Sequence, residues 1–353
     1  MYTITILGAG AMGSALTRPL IDTGWQVRLW GTWLDDHLLD AIENGQPHPR
    51  INATIDPRVQ TYRSNQLQTA LDGADVVMCG VNSFGIEWAG EQLSKLMKPG
   101  QKLLTVTKGM RADDDGTMHI LPDVLRSYFD PELAESVSWN AIVGPSIAGE
   151  LAVHHDTCVV FCGENRADVE YLAGLFRTDY YHVWTSTDFV GHETGAATKN
   201  VYAFAAGFAQ GMLRKAGKEN DRYVMYNYGA AVFAQGQKEL RSFIALMGGN
   251  PETGDGLGGV GDMFVTSMGG RNVKAGGYVG EGVPFSEVQD RLMKGVTLEG
   301  VAAIKVIGKA LGPLTERGVI GEDEYPLCRF LHSVVVQDAP LRMPWDQFFR
   351  DLE

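Results

Sequence analysis

No stretch of this chain approaches the run of about 18 uninterrupted apolar residues that a membrane-spanning helix needs, so no membrane span or membrane partner is expected. A basic segment followed by a long apolar core and a cleavage site is also missing. The chain instead runs straight into the strand-like Tyr2-Thr3-Ile4-Thr5-Ile6-Leu7, and a secretory leader is not expected. Cysteine is scarce, 4 residues in 353, which fits a reducing compartment and points to a cytoplasmic protein rather than a disulfide scaffold. Cys158 and Cys162 stand four apart in the apolar run 157–162. That spacing lacks the CxxC pattern of a metal site, so both are read as packing and no metal is expected. Basic residues are outnumbered 43 to 30, a formal net charge of −13. Such a field repels nucleic acid and anionic membranes, and an anionic ligand would need a local cluster of Lys and Arg to oppose it.

What the chain has is ordinary globular material, 44% hydrophobic and 21% charged, at a length that suggests about two domains. In the first half, apolar β-branched runs at 4–7, 26–30, 76–81 and 102–107 alternate with helical patterns such as 12–22 and 86–97. Further strands are expected at 139–143, 157–162 and 181–184. Alternation of this kind predicts a parallel sheet with helices on both faces. Beyond residue 188 strand patterns disappear, and helices are expected at 193–213, 223–246, 285–294, 298–311 and 324–332. The predicted architecture is α/β: an N-terminal doubly wound Rossmann domain over 1–188 and an all-helical domain over 189–353. A glycine-rich stretch, 254–282, interrupts the helical half and is too unusual to be mere connection.

Gly8-Ala9-Gly10-Ala11-Met12-Gly13 follows the first strand and opens the first helix. In that context Gly8 permits a tight turn, Gly10 lets backbone approach a pyrophosphate and Gly13 allows helix and strand to pack closely, while the helix N-terminus attracts the phosphate charge. The second strand ends in Leu29-Trp30-Gly31-Thr32-Trp33, with neither the usual acid for a ribose nor an Arg pair for a 2′-phosphate; Asp35 and Asp36 come slightly late. NAD is therefore favoured, with NADP open.

Lys199-Asn200 lies among small and apolar residues, Gly195-Ala196-Ala197-Thr198 before it and Val201-Tyr202-Ala203-Phe204 after it. Burial there favours the neutral amine and makes the ammonium a better proton donor. Lys108-Gly109 closes a strand, and in open parallel sheets ligands bind beyond the carboxyl ends of strands. Asp262 and Thr266 share one face of a helix if it starts near Asp262. Gly269-Gly270-Arg271-Asn272 joins a guanidinium to accessible backbone amides, a cradle suited to phosphate. Gly144-Pro145-Ser146-Ile147-Ala148-Gly149-Glu150 is a strand-to-helix junction of small residues where a ligand can touch backbone.

These elements, in this order, resemble the NAD(P)-dependent glycerol-3-phosphate dehydrogenase family from Gly8 to about Glu299. The shared pattern is a GxGxxG turn, a Lys-Gly after a strand, a GPSxAxE-like junction, a Lys-Asn on the first helix of the helical domain, and a G-x-G/A-D segment followed by Thr and Arg-Asn. The resemblance implies that Lys199 is the proton donor and acceptor and that Lys108 contacts both cofactor and substrate. It places Gly144, Ser146, Asp262, Gly270, Arg271 and Asn272 around a small phosphorylated substrate, with Asn200, Thr266 and Asp262 holding the lysine and the substrate hydroxyls. Ala11, Met12, Thr32, Ala148, Arg271, Thr297 and Glu299 fall at cofactor positions beside Gly8, Gly10 and Gly13.

The implied reaction interconverts a polyol phosphate and its keto phosphate, sn-glycerol 3-phosphate and dihydroxyacetone phosphate or a longer pair. Three features depart from the family: Thr198 stands where a leucine is usual, 227–246 matches loosely, and the acidic run 113–115, read as a solvated loop, is unusual. Two rival readings are a β-hydroxyacid dehydrogenase acting on an unphosphorylated substrate and a nucleotide-sensing Rossmann protein without chemistry. A homodimer is compatible with the helical half, although no feature requires it. His154, His155 and His192 lack a partner at telling spacing and are set aside.

Overall fold

The computed structural model describes residues 2–218, 220 and 224–350. The chain forms two compact units, one comprising Met1–Lys108 and Leu121–Phe189, the other Gly109–Ile120 and Val190–Glu353. In the first unit, β1 (Thr3–Leu7), β2 (Gln26–Trp30), β3 (Gln60–Tyr62), β4 (Val76–Cys79), β5 (Lys102–Thr105), β6 (Ser138–Val143), β7 (Thr157–Gly163) and β8 (Tyr181–Ser186) make one sheet in the order β8-β7-β6-β5-β4-β1-β2-β3. β1 and β4 are buried along their whole length. Strands covered on both faces read as near-continuous apolar or β-branched runs, which is why these two were legible. The expected all-parallel sheet needs one correction: β6 and β7 run antiparallel, with Asn140 opposite Gly163. β3 was not anticipated; it is three half-exposed residues long, with no alternation to read.

The second unit contains α2 (Phe189–Lys215), α3 (Tyr226–Leu246), α4 (Asp262–Ser267), α5 (Arg271–Gly280), α6 (Glu299–Glu316) and α7 (Pro326–Gln337), while α1 (Ala11–Asp22) belongs to the first. The start expected at Tyr223 lies outside the described residues. The expected helix over 285–294 is one α turn, Phe285–Glu287, followed by a wider π turn, Val288–Leu292. The second unit is also not purely helical. A hairpin, Met110–Ala112 paired antiparallel with Met118–Ile120, is drawn into it from the first half of the sequence. Met110 and Met118 are buried in the same cluster as Ile307 and Leu311 of α6, and their apolar burial holds the hairpin there. The turn 113–115 is solvated, as expected, and its exposed acids also pair with cations of the helical half. Asp114 accepts from Lys309 Nζ at 2.8 Å and Asp115 from Arg317 Nη1 at 3.1 Å, fastening the hairpin to α6 and to the residue that follows it.

α2 and α5 meet backbone to backbone. Glycines recur at spacings of four, Gly207 and Gly211 on α2, Gly276 and Gly280 on α5, so each pair lies on one helix face. A methyl at Gly276 would sit 1.9 Å from the Phe204 carbonyl oxygen, and one at Gly211 would sit 1.8 Å from that of Gly277. No other residue fits this crossing, because the atoms met are backbone and cannot swing aside. Gly276→Ala is expected to destabilise the protein by roughly 3 kcal/mol, read as a lower denaturation midpoint. Gly174→Ala, at an exposed position of the helix Arg166–Phe176 where an added methyl meets nothing within 4 Å, is expected to stabilise by roughly 0.5–1 kcal/mol. Equal effects of the two would contradict this packing.

Candidate active site

The first unit brings one set of the expected residues together. Gly8 takes φ +103°, and a side chain there would lie 2.9 Å from the Gly80 carbonyl oxygen, while one at Gly13 would lie 2.2 Å from that of Gly8. The fold itself demands both glycines. Gly10 differs: its extended backbone, φ −68° and ψ −178°, suits any residue, yet its missing side chain leaves room at the start of α1, which no side chain caps. Free first-turn amides beside such a gap have the donor character that a dinucleotide pyrophosphate would need, and Gly8, Gly10, Ala11, Met12 and Gly13 form the turn and the first residues of α1. Across from this turn, Ser146 Oγ lies 3.8 Å from Met12 Sδ, and Lys108 Nζ donates to the Gly144 carbonyl at 3.4 Å. Gly144 bends the chain at φ +116° before the helix Ala148–Ala152. At the end of β2, Asp35 folds back: its carboxylate accepts from the Thr32 amide at 3.0 Å and from the Thr32 hydroxyl at 2.9 Å. The acid that looked late in sequence is therefore folded back onto Thr32, just past the end of β2.

The second unit gathers the rest. Lys199, buried on α2, is ion-paired with Asp262, the equally buried first residue of α4. The ammonium that looked isolated among apolar neighbours has its counter-charge one segment away, delivered by the glycine-rich π turn Leu257–Gly261. Gly195 is what lets α2 meet that turn, since a methyl there would be 3.1 Å from the Gly258 carbonyl oxygen. Asn200 and Asn272, the sequence neighbours of Lys199 and Arg271, are hydrogen-bonded at 3.4 Å. Asn272 Oδ1 in turn accepts from the Gly300 amide at 3.1 Å. The Asn272 amide thus ties α2, α5 and α6 together at one point. Gly270, at φ +97°, precedes α5, whose first turn carries no side-chain cap. Arg271 projects from that turn with a half-exposed side chain, and its Nη2 is 4.0 Å from Glu299 Oε1. Glu299, the first residue of α6, thereby lies near Arg271, and Thr297 stands two residues before it.

Several residues behave differently from expectation. The Thr266 hydroxyl donates to the carbonyl of Asp262 at 2.7 Å, so its proton is spent on its own helix and not on the lysine. Thr198, where a leucine was expected, is tolerated in the buried face because its hydroxyl donates to the Thr194 carbonyl at 2.9 Å. His154 lies elsewhere, its ring edge-on to Tyr180 and its Nε2 3.2 Å from Asp22. Missed entirely was Glu239, fully buried on α3. It accepts from the amides of Leu327 and Cys328 at 2.7 and 3.0 Å and so caps α7, and burial pushes its carboxyl up to about 7. Its only signal in sequence is an acid at an apolar position of a helix.

Against known proteins, the family models for the N-terminus and the C-terminus of NAD-dependent glycerol-3-phosphate dehydrogenase match residues 3–169 and 188–345. The NADP(+)-dependent glycerol-3-phosphate dehydrogenase of Archaeoglobus fulgidus is 34% identical over 82% of this chain and 83% of its own length. The chain belongs to this family. The glycerol-3-phosphate dehydrogenase [NAD(P)+] of Enterococcus faecalis is 29% identical over 96% of the chain and 93% of its own length. The crystal structure of the Coxiella burnetii glycerol-3-phosphate dehydrogenase superposes with a TM-score of 0.80 at 26% identity, covering 100% of this chain and 99% of that one. Membership in the glycerol-3-phosphate dehydrogenase family makes the chain an NAD(P)-dependent oxidoreductase acting on a CH–OH group. The rival β-hydroxyacid and nucleotide-sensor readings are not favoured.

Asp262→Ala leaves a buried ammonium without its partner and is expected to destabilise the protein by about 3–5 kcal/mol. In the Lys199→Met/Asp262→Ala double variant much of that loss should return. Urea unfolding checks both, and a single variant as stable as the parent would contradict the pair.

Proposed function

We propose that this chain interconverts sn-glycerol 3-phosphate and dihydroxyacetone phosphate, with Lys199 as the proton donor and acceptor. The observation that carries the reading is one arrangement. A buried Lys199–Asp262 pair and the uncapped, arginine-bearing start of α5 are joined through the Asn200–Asn272 hydrogen bond. Bound NAD(P) supplies a hydride donor or acceptor at its nicotinamide.

The chain's own residues do the remainder. In the reducing direction the Lys199 ammonium gives a proton to the oxygen developing negative charge at C2, and Asp262 holds Nζ in place and stabilises the ammonium form in the reverse step. The amides at the start of α5 and the Arg271 guanidinium receive the phosphate, where a helix N-terminus and a planar donor fork both favour an anion. Lys108, whose Nζ lies beside Gly144, supplies a further donor for the carbonyl oxygen. Gly144 and Gly270 leave backbone open to the substrate, and Ser146 offers a small hydroxyl. Among the described residues no helix is long and apolar enough to cross a membrane, and a cytoplasmic setting is part of the proposal.

Lys199→Met is expected to abolish turnover while the dissociation constant for NADH stays within about twofold of the parent. Near-normal kcat would remove Lys199 from the chemistry. Arg271→Ala, at a half-exposed side chain, is expected to raise KM for dihydroxyacetone phosphate about ten- to a hundredfold with a smaller change in kcat. A kinetic panel of dihydroxyacetone phosphate, a tetrulose phosphate and an unphosphorylated β-keto acid, each with NADH and NADPH, tests the substrate. Preference for the β-keto acid would overturn the proposal.

A further inference from the structure

We propose that Arg50 is a phosphate anchor of the dinucleotide site, acting on the cofactor's pyrophosphate together with the start of α1; this rests on the family's dinucleotide chemistry being this chain's own. The first observation is at Gly10. The one atom within 4 Å of where its side chain would begin is Arg50 Nη1, at 3.6 Å. The fold requires glycine at Gly8 and Gly13 but not here. What glycine achieves at position 10 is to leave the space between a guanidinium and the uncapped first turn of α1 open. Positive charge and free amides facing one gap are the donor set a bridging phosphate takes.

The second observation is how Arg50 is held. His48 is wholly buried, and its Nε2 lies 3.0 Å from the carbonyl oxygen of Ala9, inside the glycine turn. The Arg50 amide donates to His48 Nδ1 at 3.2 Å. An amide can only donate, so Nδ1 is the acceptor and the ring proton sits on Nε2, where it is given to Ala9. Burial, with the Arg50 charge acting in the same direction, holds the imidazole below its ordinary value and keeps this neutral tautomer. Pro49 stiffens the link between the two residues. Arg50 is thus fastened to the turn that would hold the pyrophosphate, not merely near it.

The third observation is charge. Neighbouring arginines of this unit are already engaged. Arg63 reaches Asp40 at 2.8 Å and Glu43 at 2.5 Å, Arg28 donates to the carbonyls of Ala70 and Asp72, and Arg18 to that of Thr54. Among the described residues Arg50 has no carboxylate within ion-pair distance, in a chain with an excess of 13 negative charges. The ribose corner at Thr32 holds Asp35 instead, a carboxylate that disfavours a 2′-phosphate there. The pyrophosphate is therefore the assigned partner.

The experiment is equilibrium titration of the substrate-free protein with NADH and with NADPH at low ionic strength, followed by tryptophan quenching. Arg50→Gln is expected to raise both dissociation constants about tenfold and leave their ratio unchanged. Gly10→Ala, which the backbone accepts, is expected to weaken both while the melting temperature stays at the parent value. Unchanged binding in either variant overturns the proposal, as does a loss confined to NADPH, which would move Arg50 to a 2′-phosphate. If the unaltered protein binds neither dinucleotide, the dinucleotide reading itself falls, and this proposal with it.

Discussion

Where α2 and α5 cross, the carbonyl oxygens of one helix stand where the side chains of the other would begin, and only glycine at 207, 211, 276 and 280 permits that distance. The crossing matters because of what the two helices carry. Lys199 and Asn200 ride on α2, and Arg271 and Asn272 open α5, so the depth of the crossing sets the spacing between a buried amine and an uncapped, arginine-bearing helix start. A second glycine contact, Gly195 on the Gly258 carbonyl, presents Asp262 to the lysine. A third, Gly300 against the Asn200 carbonyl at 2.3 Å from its absent side chain, brings in the start of α6. Close-packed backbone is a stiffer ruler than interdigitated side chains, because no rotamer can relax it.

The electrostatics follow from the same arrangement. A chain with 43 acidic and 30 basic residues can hold an anion only by spending its cations locally. Much of its positive charge is occupied in ion pairs, as in the fastening of the 113–115 turn by Lys309 and Arg317. Two arginines at the glycine-rich segments differ from that pattern. Arg271 faces Glu299 only at 4.0 Å, and Arg50 faces the glycine turn. Charge that the fold does not consume is charge a ligand can use.

Much of this was legible from sequence for definite reasons. The central strands are buried on both faces and so read as apolar runs. The GxGxxG turn and the Lys-Asn, Asp and Gly-Gly-Arg-Asn segments carry chemistry at residues whose type is constrained. Contacts that depend on distant parts of the chain were hidden. Nothing at 113–115 announces that its acids will meet Lys309 and Arg317 roughly two hundred positions on. His48 and Arg50 sit in a loop without periodicity, and β3 is too short and exposed to alternate. The bonds of Asn272 were hidden for the same reason: nothing local shows that its side-chain carbonyl and one amide hydrogen join three helices.

The central claim is that the amine at position 199 transfers the proton, and chemical rescue tests it most directly. Lys199→Ala removes the amine and leaves a hollow in which a small primary amine can stand. Added methylamine is expected to restore turnover of dihydroxyacetone phosphate in a saturable manner, with larger amines less effective. Absence of rescue by any amine, in a variant shown to bind both cofactor and substrate normally, would contradict the assignment.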